Sequence, residues 1–328
     1  MAREFDILAL GSPILDAVLD VSFDDLKSVT NEARGMVAVT KEEQETIISS
    51  VETPPEYSMG GSASNTAAAT ARLGLKSGLL GKIGNDEHGK IYVSRATDIN
   101  LDTSMLKKSE NLNTACCLCL ITPDGERTMR THLGAAQTIT VKDVCFEDIL
   151  RYKHIHLEAY ILFNPDFFIP IVRFAKENGI KVSIDLGSFE IVRDYKDFLV
   201  DFLPKYIDIL FANEDEAVQF GETKEIKSIC PTVVLMQGKN GASVYTDYGK
   251  NIYQQSAYKE KRIIDKVGAG DHFAAGFLYG YLKNLSVRES ASIATLLATS
   301  SIEHRGAEMP KEVWDELIKD IKNGKFIR

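Results

Sequence analysis

The sequence predicts an α/β fold: a mostly parallel central sheet with helices on both faces, plus a small β lid. Three observations predict it. From residue 154 onward, short apolar runs alternate with helical segments, the rhythm of strands joined by crossover helices. Two earlier stretches, near 16–40 and 112–134, break that rhythm with hairpin-like pieces. The 328-residue chain is 44% hydrophobic and 26% charged, which supplies a sizeable core and suits one large domain with an added lobe.

The elements follow in order. Phe5 to Leu10 reads as a short buried strand ending at Gly11. Residues 22–56 are more polar, with a helical face at Lys41 to Glu45 and a break at Pro54-Pro55. Residues 64–73 carry Ala67, Ala68, Ala69 and Ala71, a helix able to press closely on a sheet. Leu118 to Thr122, a turn at Pro123-Asp124-Gly125, and Arg127 to His132 read as a hairpin. His154 to Leu162 is strand-like, and Asn164-Pro165 starts a helix with a cap and a first-position proline. Further strands are expected at 181–186, 208–212, 232–237 and 242–245, the last two around the Gly238-Lys239-Asn240-Gly241 turn. A helix begins near Glu214, and three helices close the chain near 270–284, 286–303 and 310–322. The whole chain, 1–328, is read as one domain whose lid is formed by about 16–56 and 112–134.

Composition narrows the function classes. A formal net charge of −9 opposes binding to phosphate backbones or anionic lipid, so neither nucleic acid nor membrane is an expected partner. No apolar run approaches the roughly 18 residues of a membrane span. The cysteines, Cys116, Cys117, Cys119, Cys145 and Cys230, are odd in number and lack paired Cys-x-x-Cys spacing. They read as buried thiols in a reducing, cytoplasmic setting. Met1-Ala2-Arg3-Glu4 runs into strand-like sequence with no visible signal segment.

Three segments carry chemistry. Asp265-Lys266-Val267-Gly268-Ala269-Gly270-Asp271 precedes an apolar helix. Glycines leave amides unshielded, and the helix aims its free N–H groups and positive dipole end at the same point. Such a turn suits a transferring phosphoryl group, with Gly268, Ala269 and Gly270 as anion hole and Asp271 as base toward an attacking hydroxyl. A structural turn with Asp271 as helix N-cap fits the same residues. Gly60-Gly61-Ser62-Ala63-Ser64-Asn65 opens the alanine-rich helix; it is either a ligand approach to bare backbone or a tight capping loop. Asn213-Glu214-Asp215-Glu216 follows a strand, where carboxylates meet ligands in open α/β sheets. Asn213 and Glu216 can hold the water shell of Mg²⁺, or merely complement the helix dipole. Gly84 to Lys90 has P-loop spacing, but Ile91 stands where a hydroxyl is needed, and Asp86 and Glu87 would repel phosphate.

In order, Gly11-Ser12-Pro13-Ile14-Leu15-Asp16, Gly60 to Ala67, Arg72-Leu73-Gly74, Gly81 to Asp86 with Gly89, Asn213-x-x-Glu216 and Gly268 to Asp271 resemble the ribokinase/PfkB family of sugar and nucleoside kinases. The resemblance implies a ribokinase-like sheet with a β lid over the acceptor site. It implies ATP and Mg²⁺, with a small-molecule acceptor and ATP as partners, in a monomer or homodimer. Asp271 would be the base, and Asp16, Gly60, Gly61 and Asn65 would line the acceptor pocket. Asn213, Gly238, Gly241, Asp265 and Gly306 would border ATP, and Glu216 would reach the metal through water. The Gly-x-Pro-x-Leu-Asp start, Asp208 to Glu214, and Thr114-Ala115-Cys116-Cys117 are similar to the adenosine-kinase-like branch. There Cys117, Leu133, Tyr160 and Phe189 would wall a nucleobase. The expected reaction is transfer of the γ-phosphoryl of ATP to a primary hydroxyl of an adenosine-like nucleoside. The alternatives are a kinase of a bare sugar such as ribose or fructose, and an inactive binding or regulatory homologue. Lys266 departs from the family's usual threonine and leaves monovalent-cation activation open.

Overall fold

The computed structural model describes residues 3–326 except 31–34, 52, 125 and 222–225. Met1, Ala2 and the Gly125 of the expected turn lie outside them. In chain order the strands are β1 Phe5–Leu10, β2 Ile14–Asp20, β3 Gly35–Ala38, β4 Glu56–Gly60, β5 Ser77–Gly84, β6 Leu106–Ser109, β7 Ala115–Ile121, β8 Arg127–His132, β9 Tyr152–Glu158, β10 Lys181–Asp185, β11 Ile209–Asn213, β12 Thr232–Met236, β13 Ala242–Thr246 and β14 Asn251–Gln255. The helices are α1 Phe23–Val29, α2 Lys41–Ser50, α3 Ser62–Arg72, α4 Glu87–Asp98, α5 Phe146–Ile149, α6 Pro165–Glu177, α7 Phe189–Asp194, α8 Lys196–Tyr206, α9 Glu214–Gln219, α10 Ala269–Leu282, α11 Val287–Ser301 and α12 Lys311–Lys322.

The large sheet has nine strands in the order β14-β13-β12-β11-β10-β9-β1-β5-β6. From β12 to β6 every neighbouring pair is parallel, and β13 and β14 add an antiparallel edge. Strand alternation divides the core between two faces. Leu8 and Leu10 of β1 join Phe167, Phe168, Ile171 and Val172 of α6 and Leu199, Phe202 and Leu203 of α8. Ile7 of β1 joins Phe273, Phe277 and Leu278 of α10, while Ala9 joins Ala63, Ala67 and Ala71 of α3. A Cβ on Gly276 would lie 2.6 Å from Ala294 Cα, and one on Gly280 would lie 2.4 Å from Ser290 Oγ. Those two glycines therefore let α10 lie directly against α11, which fixes the helix carrying Asp271.

A second sheet has the order β3-β8-β7-β2-β4. Its β7–β8 hairpin is the one the alternating apolar run and Pro123-Asp124 turn predict. Ala17, Leu19, Cys116, Leu118 and Leu120 turn toward Leu26 of α1 and Ile47 of α2. Asp16 and Cys117, paired in register, and Cys119 occupy the opposite face. Among the described residues no helix is long and apolar enough to cross a membrane.

Several sequence boundaries shift. The apolar run 154–162 does not stay extended: β9 stops at Glu158, and Ala159–Phe163 forms a 3₁₀ turn. At that end, the Glu158 carboxylate accepts backbone amides from two other segments. Asn164 begins α6 but makes no side-chain cap; its amide donates to Ile139 O at 2.8 Å instead. Between the Pro54-Pro55 break and the Gly61 turn, Glu56–Gly60 is an edge strand that the sequence reading did not mark, and it carries Gly60 to Asp16. In the P-loop-like segment, Asp86 takes the place of a phosphate by accepting from the Gly89 and Thr114 amides, each at 2.9 Å.

Candidate active site

The parallel strands share one C-terminal edge, and acidic residues gather there. Glu158 ends β9, Asp185 ends the neighbouring β10, and the β11 end is Asn213. Opposite that edge, Gly268 takes a left-handed conformation (φ 74°) and is the N-cap of α10. Asp271 is thus in the first turn rather than at the cap, which corrects the N-cap alternative. The α10 N-terminal turn cannot pair its own first amides. Ala269 N–H makes a long 3.3 Å bond to Lys266 O, while the amides of Gly270 and Asp271 point to no protein acceptor among the described residues.

The Asp271 carboxylate is held by the second motif. Ser62 Oγ donates to Oδ1 at 2.7 Å and Asn65 Nδ2 donates to Oδ2 at 2.8 Å. Burial pushes the carboxyl up to about 6, against the lowering pull of those two donors. A carboxylate near that value is ionised at neutral pH yet basic enough to take a hydroxyl proton. Gly61 (φ 93°) caps α3, and a Cβ there would meet Ser12 O at 2.1 Å, so only glycine fits the turn.

Asp16 projects from β2 on the face shared with Cys117. A Cβ on Gly60 would lie 2.5 Å from Asp16 Cγ, so Gly60 makes the room that the carboxylate occupies. Burial raises Asp16 to about 7, opposed by the Arg127 guanidinium and reinforced by the Asp271 charge. Among the described residues no hydrogen-bond donor satisfies it.

Sequence reasoning overlooked Glu158, and the structure gives it a central place. It is buried, and it accepts Ser12 N–H at 2.7 Å and Ala63 N–H at 2.9 Å, tying the Gly11 loop to the Gly61 turn. Burial raises it to about 7 despite those amides. Asp185 was also overlooked. Its Oδ1 accepts Gly187 N–H at 2.9 Å, and burial together with the Glu216 and Asp271 charges raises its carboxyl well above the usual range. A carboxylate at the C-terminal end of a buried parallel strand was the available signal for both. Ser62 stood inside a motif already singled out, but nothing in its spacing showed its partner.

Asn213 and Glu216 form a reciprocal cap. Glu216 accepts Asn213 N–H at 2.9 Å and Asn213 Nδ2 at 2.7 Å, and Asn213 Oδ1 accepts Glu216 N–H at 2.9 Å. Burial raises Glu216 to about 7. Buried carboxylates so deprived of water suit a hard cation that takes oxygen ligands, and Asp185 keeps one oxygen without a protein donor. The donor set therefore fits Mg²⁺.

Asp265 does not stand free. It accepts Val267 N–H at 3.1 Å and Gly306 N–H at 2.8 Å, and pairs with Arg127 of β8. Arg305 forms a second, two-pronged bridge to Asp20 of β2, at 2.8 and 3.0 Å. Gly238 and Gly241 lie in the β12–β13 turn, two residues past Met236, whose Cε approaches Gly270. Lys266 is exposed. Tyr160 and Phe189 leave adjacent strand ends, and Tyr160 packs on Gly187. Tyr160 is 40%, Phe189 43% and Leu133 39% exposed, so each of these large side chains is left partly uncovered, whereas Cys117 is buried.

Buried carboxylates at the sheet edge and a bare helix N-terminus suit phosphoryl transfer. The chain belongs to the pfkB family of carbohydrate kinases, whose model matches residues 35–314. It is an ATP-dependent enzyme that phosphorylates an alcohol, a sugar or nucleoside kinase. The chain is 30% identical to an ATP-dependent ribose-1-phosphate kinase of Halopiger xanaduensis over 76% of its length and 81% of that protein. It is 26% identical to adenosine kinase of Saccharomyces cerevisiae over 93% of its length and 97% of that protein. A probable sugar kinase of Rhizobium etli has the same fold, with TM-score 0.87 and 28% identity over 100% of both chains.

Proposed function

We propose that the enzyme transfers the γ-phosphoryl group of ATP to the primary hydroxyl of a purine nucleoside. The carrying observation is the exposure of three large apolar side chains, Tyr160, Phe189 and Leu133, on the segments that follow β9, β10 and β8. Flat apolar walls suit a base, whereas a bare sugar calls for more polar side chains. Asp16, lacking a protein donor, accepts two vicinal ribose hydroxyls. The small sheet is the lid, carrying Asp16 and Cys117 over the pocket.

In the reaction, Asp271 accepts a hydrogen bond from the attacking hydroxyl and takes its proton as that oxygen bonds to phosphorus. The bond from phosphorus to the ADP oxygen breaks, and Asp271 then gives the proton to water. The amides of Gly270 and Asp271, with the α10 dipole, stabilise charge on the phosphoryl oxygens. Asp185, and Glu216 through water, would hold Mg²⁺, which would supply charge neutralisation for the phosphates. Asp265 and Gly306 border ATP with the Gly238–Gly241 turn.

Ribose 1-phosphate is the second reading, because a relative at 30% identity bears that activity in its name. Both acceptors carry a substituent on C1 of ribose and differ in that substituent and in the face of the ring it leaves from. ADP release measured with adenosine, guanosine, ribose 1-phosphate, ribose and fructose decides the matter. The nucleoside reading requires the highest kcat/KM for a purine nucleoside; a tenfold advantage for any of the sugars overturns it.

A further inference from the structure

The face of the small sheet that carries Asp16 also carries a pair of thiols for which the phosphotransfer reaction has no use. Register sets Asp16 of β2 beside Cys117 of β7, and alternation brings Cys119 to the same face. The two sulfurs are 3.6 Å apart. One ligand atom from each of Asp16, Cys117 and Cys119 lies within 4.8 Å of the others. A disulfide would require a separation of about 2 Å. Two sulfurs bound at about 2.3 Å to one tetrahedral cation stand about 3.8 Å apart. The observed spacing is already close to that edge, so a cation can enter with small side-chain adjustments.

We propose that Cys117, Cys119 and Asp16 form a binding site for a borderline-soft divalent cation of the zinc class. The cation takes two thiolate sulfurs and one carboxylate oxygen, leaving the fourth tetrahedral position to water. Thiolates select such a cation over Mg²⁺, which prefers oxygen ligands, so the ion accompanying ATP does not fill it. Binding releases two thiol protons to solvent and involves no change of oxidation state. Arg127 lies near the site, but its charge is engaged by Asp265. Occupation withdraws the Asp16 carboxylate from any other ligand. If Asp16 grips the acceptor, as proposed above, the cation inhibits in competition with the acceptor; the binding itself does not depend on that reading.

The test starts without nucleotide. Cd²⁺ titrated into the full chain should give a thiolate-to-metal charge-transfer band that saturates at one ion per chain. Cys119→Ser should weaken it at least tenfold, while Cys145→Ser, at an exposed thiol away from the sheet, should leave it unchanged. On the unaltered protein carrying one Zn²⁺, X-ray absorption should show two sulfur ligands at about 2.3 Å, which covers the case of a Cys119 variant that does not fold. Absence of a saturating band, a band unaffected by Cys119→Ser, or a zinc shell without sulfur overturns the site. In turnover assays, Cys119→Ser should keep its basal rate and lose sensitivity to Zn²⁺. Site-specific binding with inhibition that acceptor cannot relieve supports the metal site and removes Asp16 from the acceptor pocket.

Discussion

Ser62 Oγ donates to Asp271 Oδ1 at 2.7 Å, joining two glycine motifs separated by 209 residues. Asn65, one turn further along α3, donates to the other oxygen at 2.8 Å. α3 therefore sets the orientation and basicity of a carboxylate on α10. Neither motif alone contains a complete base.

Ser62→Ala tests this coupling. A donor to the ionised form lowers a carboxyl's pKa, so losing one should raise Asp271 above its present value of about 6. The acid limb of the kcat profile should move up by about one pH unit, given about 1.4 kcal/mol per unit and the worth of one charged hydrogen bond. Activity at pH 8 should change only a few-fold. An unmoved acid limb, with any defect confined to thermal stability, would make Ser62 a packing residue.

Glu158→Gln should reveal the cost of burying an ionised carboxylate. Burial raises Glu158 from 4.5 to about 7, so the native state holds its proton more tightly than the unfolded chain. Stability from this group is full below about 4.5 and declines as pH rises to about 7, a change of about 3 kcal/mol across the window. The glutamine amide does not titrate. The unfolding free energy of the variant minus that of the wild type should therefore increase from pH 5 to pH 8 in urea denaturation. A difference that is flat with pH would mean that Glu158 does not titrate in that range.

Asp265→Asn should act through Arg127 and the Gly306 segment. Removing one partner of a buried pair leaves the other charge uncompensated, typically at about 3–5 kcal/mol. Wild-type stability should drop by that order, and KM for ATP should rise because Gly306 and the glycine turn lose their tie. Adding Arg127→Gln to Asp265→Asn should recover part of the stability but not the ATP KM. Full additivity of the two substitutions in unfolding experiments would show that the pair carries no coupling.

The strand–helix alternation after residue 154, the β7–β8 hairpin and the glycine turns were all legible, because periodicity and backbone permissiveness are local properties. The Glu56–Gly60 strand was hidden by Pro54-Pro55 and by a glycine at its end, both of which read as loop. Glu158 and Asp185 escaped for a different reason. Their chemistry depends on which amides reach a strand end from elsewhere in the chain: for Glu158, those of Ser12 and Ala63. Asn213 and Glu216 were noticed from spacing for their metal chemistry, although the same Asn-x-x-Glu spacing is a capping-box signature, and that is what the structure holds.

Asp271→Asn is the decisive substitution for the proposed base. Gly268, not Asp271, caps α10, so the change removes no cap; it costs only the favourable charge at the helix start, about 0.3–1 kcal/mol. The asparagine can keep both neighbours. Its oxygen accepts from Asn65, and its amide donates to Ser62, whose hydroxyl can rotate to become the acceptor. Folding should therefore survive, with Tm near that of the wild type. What disappears is the ability to accept a proton near neutral pH. General-base removal typically costs about 10²–10⁴-fold, and kcat should fall by that factor. The free amides of Gly270 and Asp271 and the helix dipole persist, so a residual rate should remain and ATP affinity should stay within a few-fold. The acid limb near pH 6, set by the Asp271 carboxyl, should vanish from what activity is left. Measuring kcat against pH, ATP affinity and Tm on one preparation separates these effects. A folded variant that keeps more than about a tenth of the wild-type kcat, or keeps the limb near pH 6, would assign the proton transfer to another group.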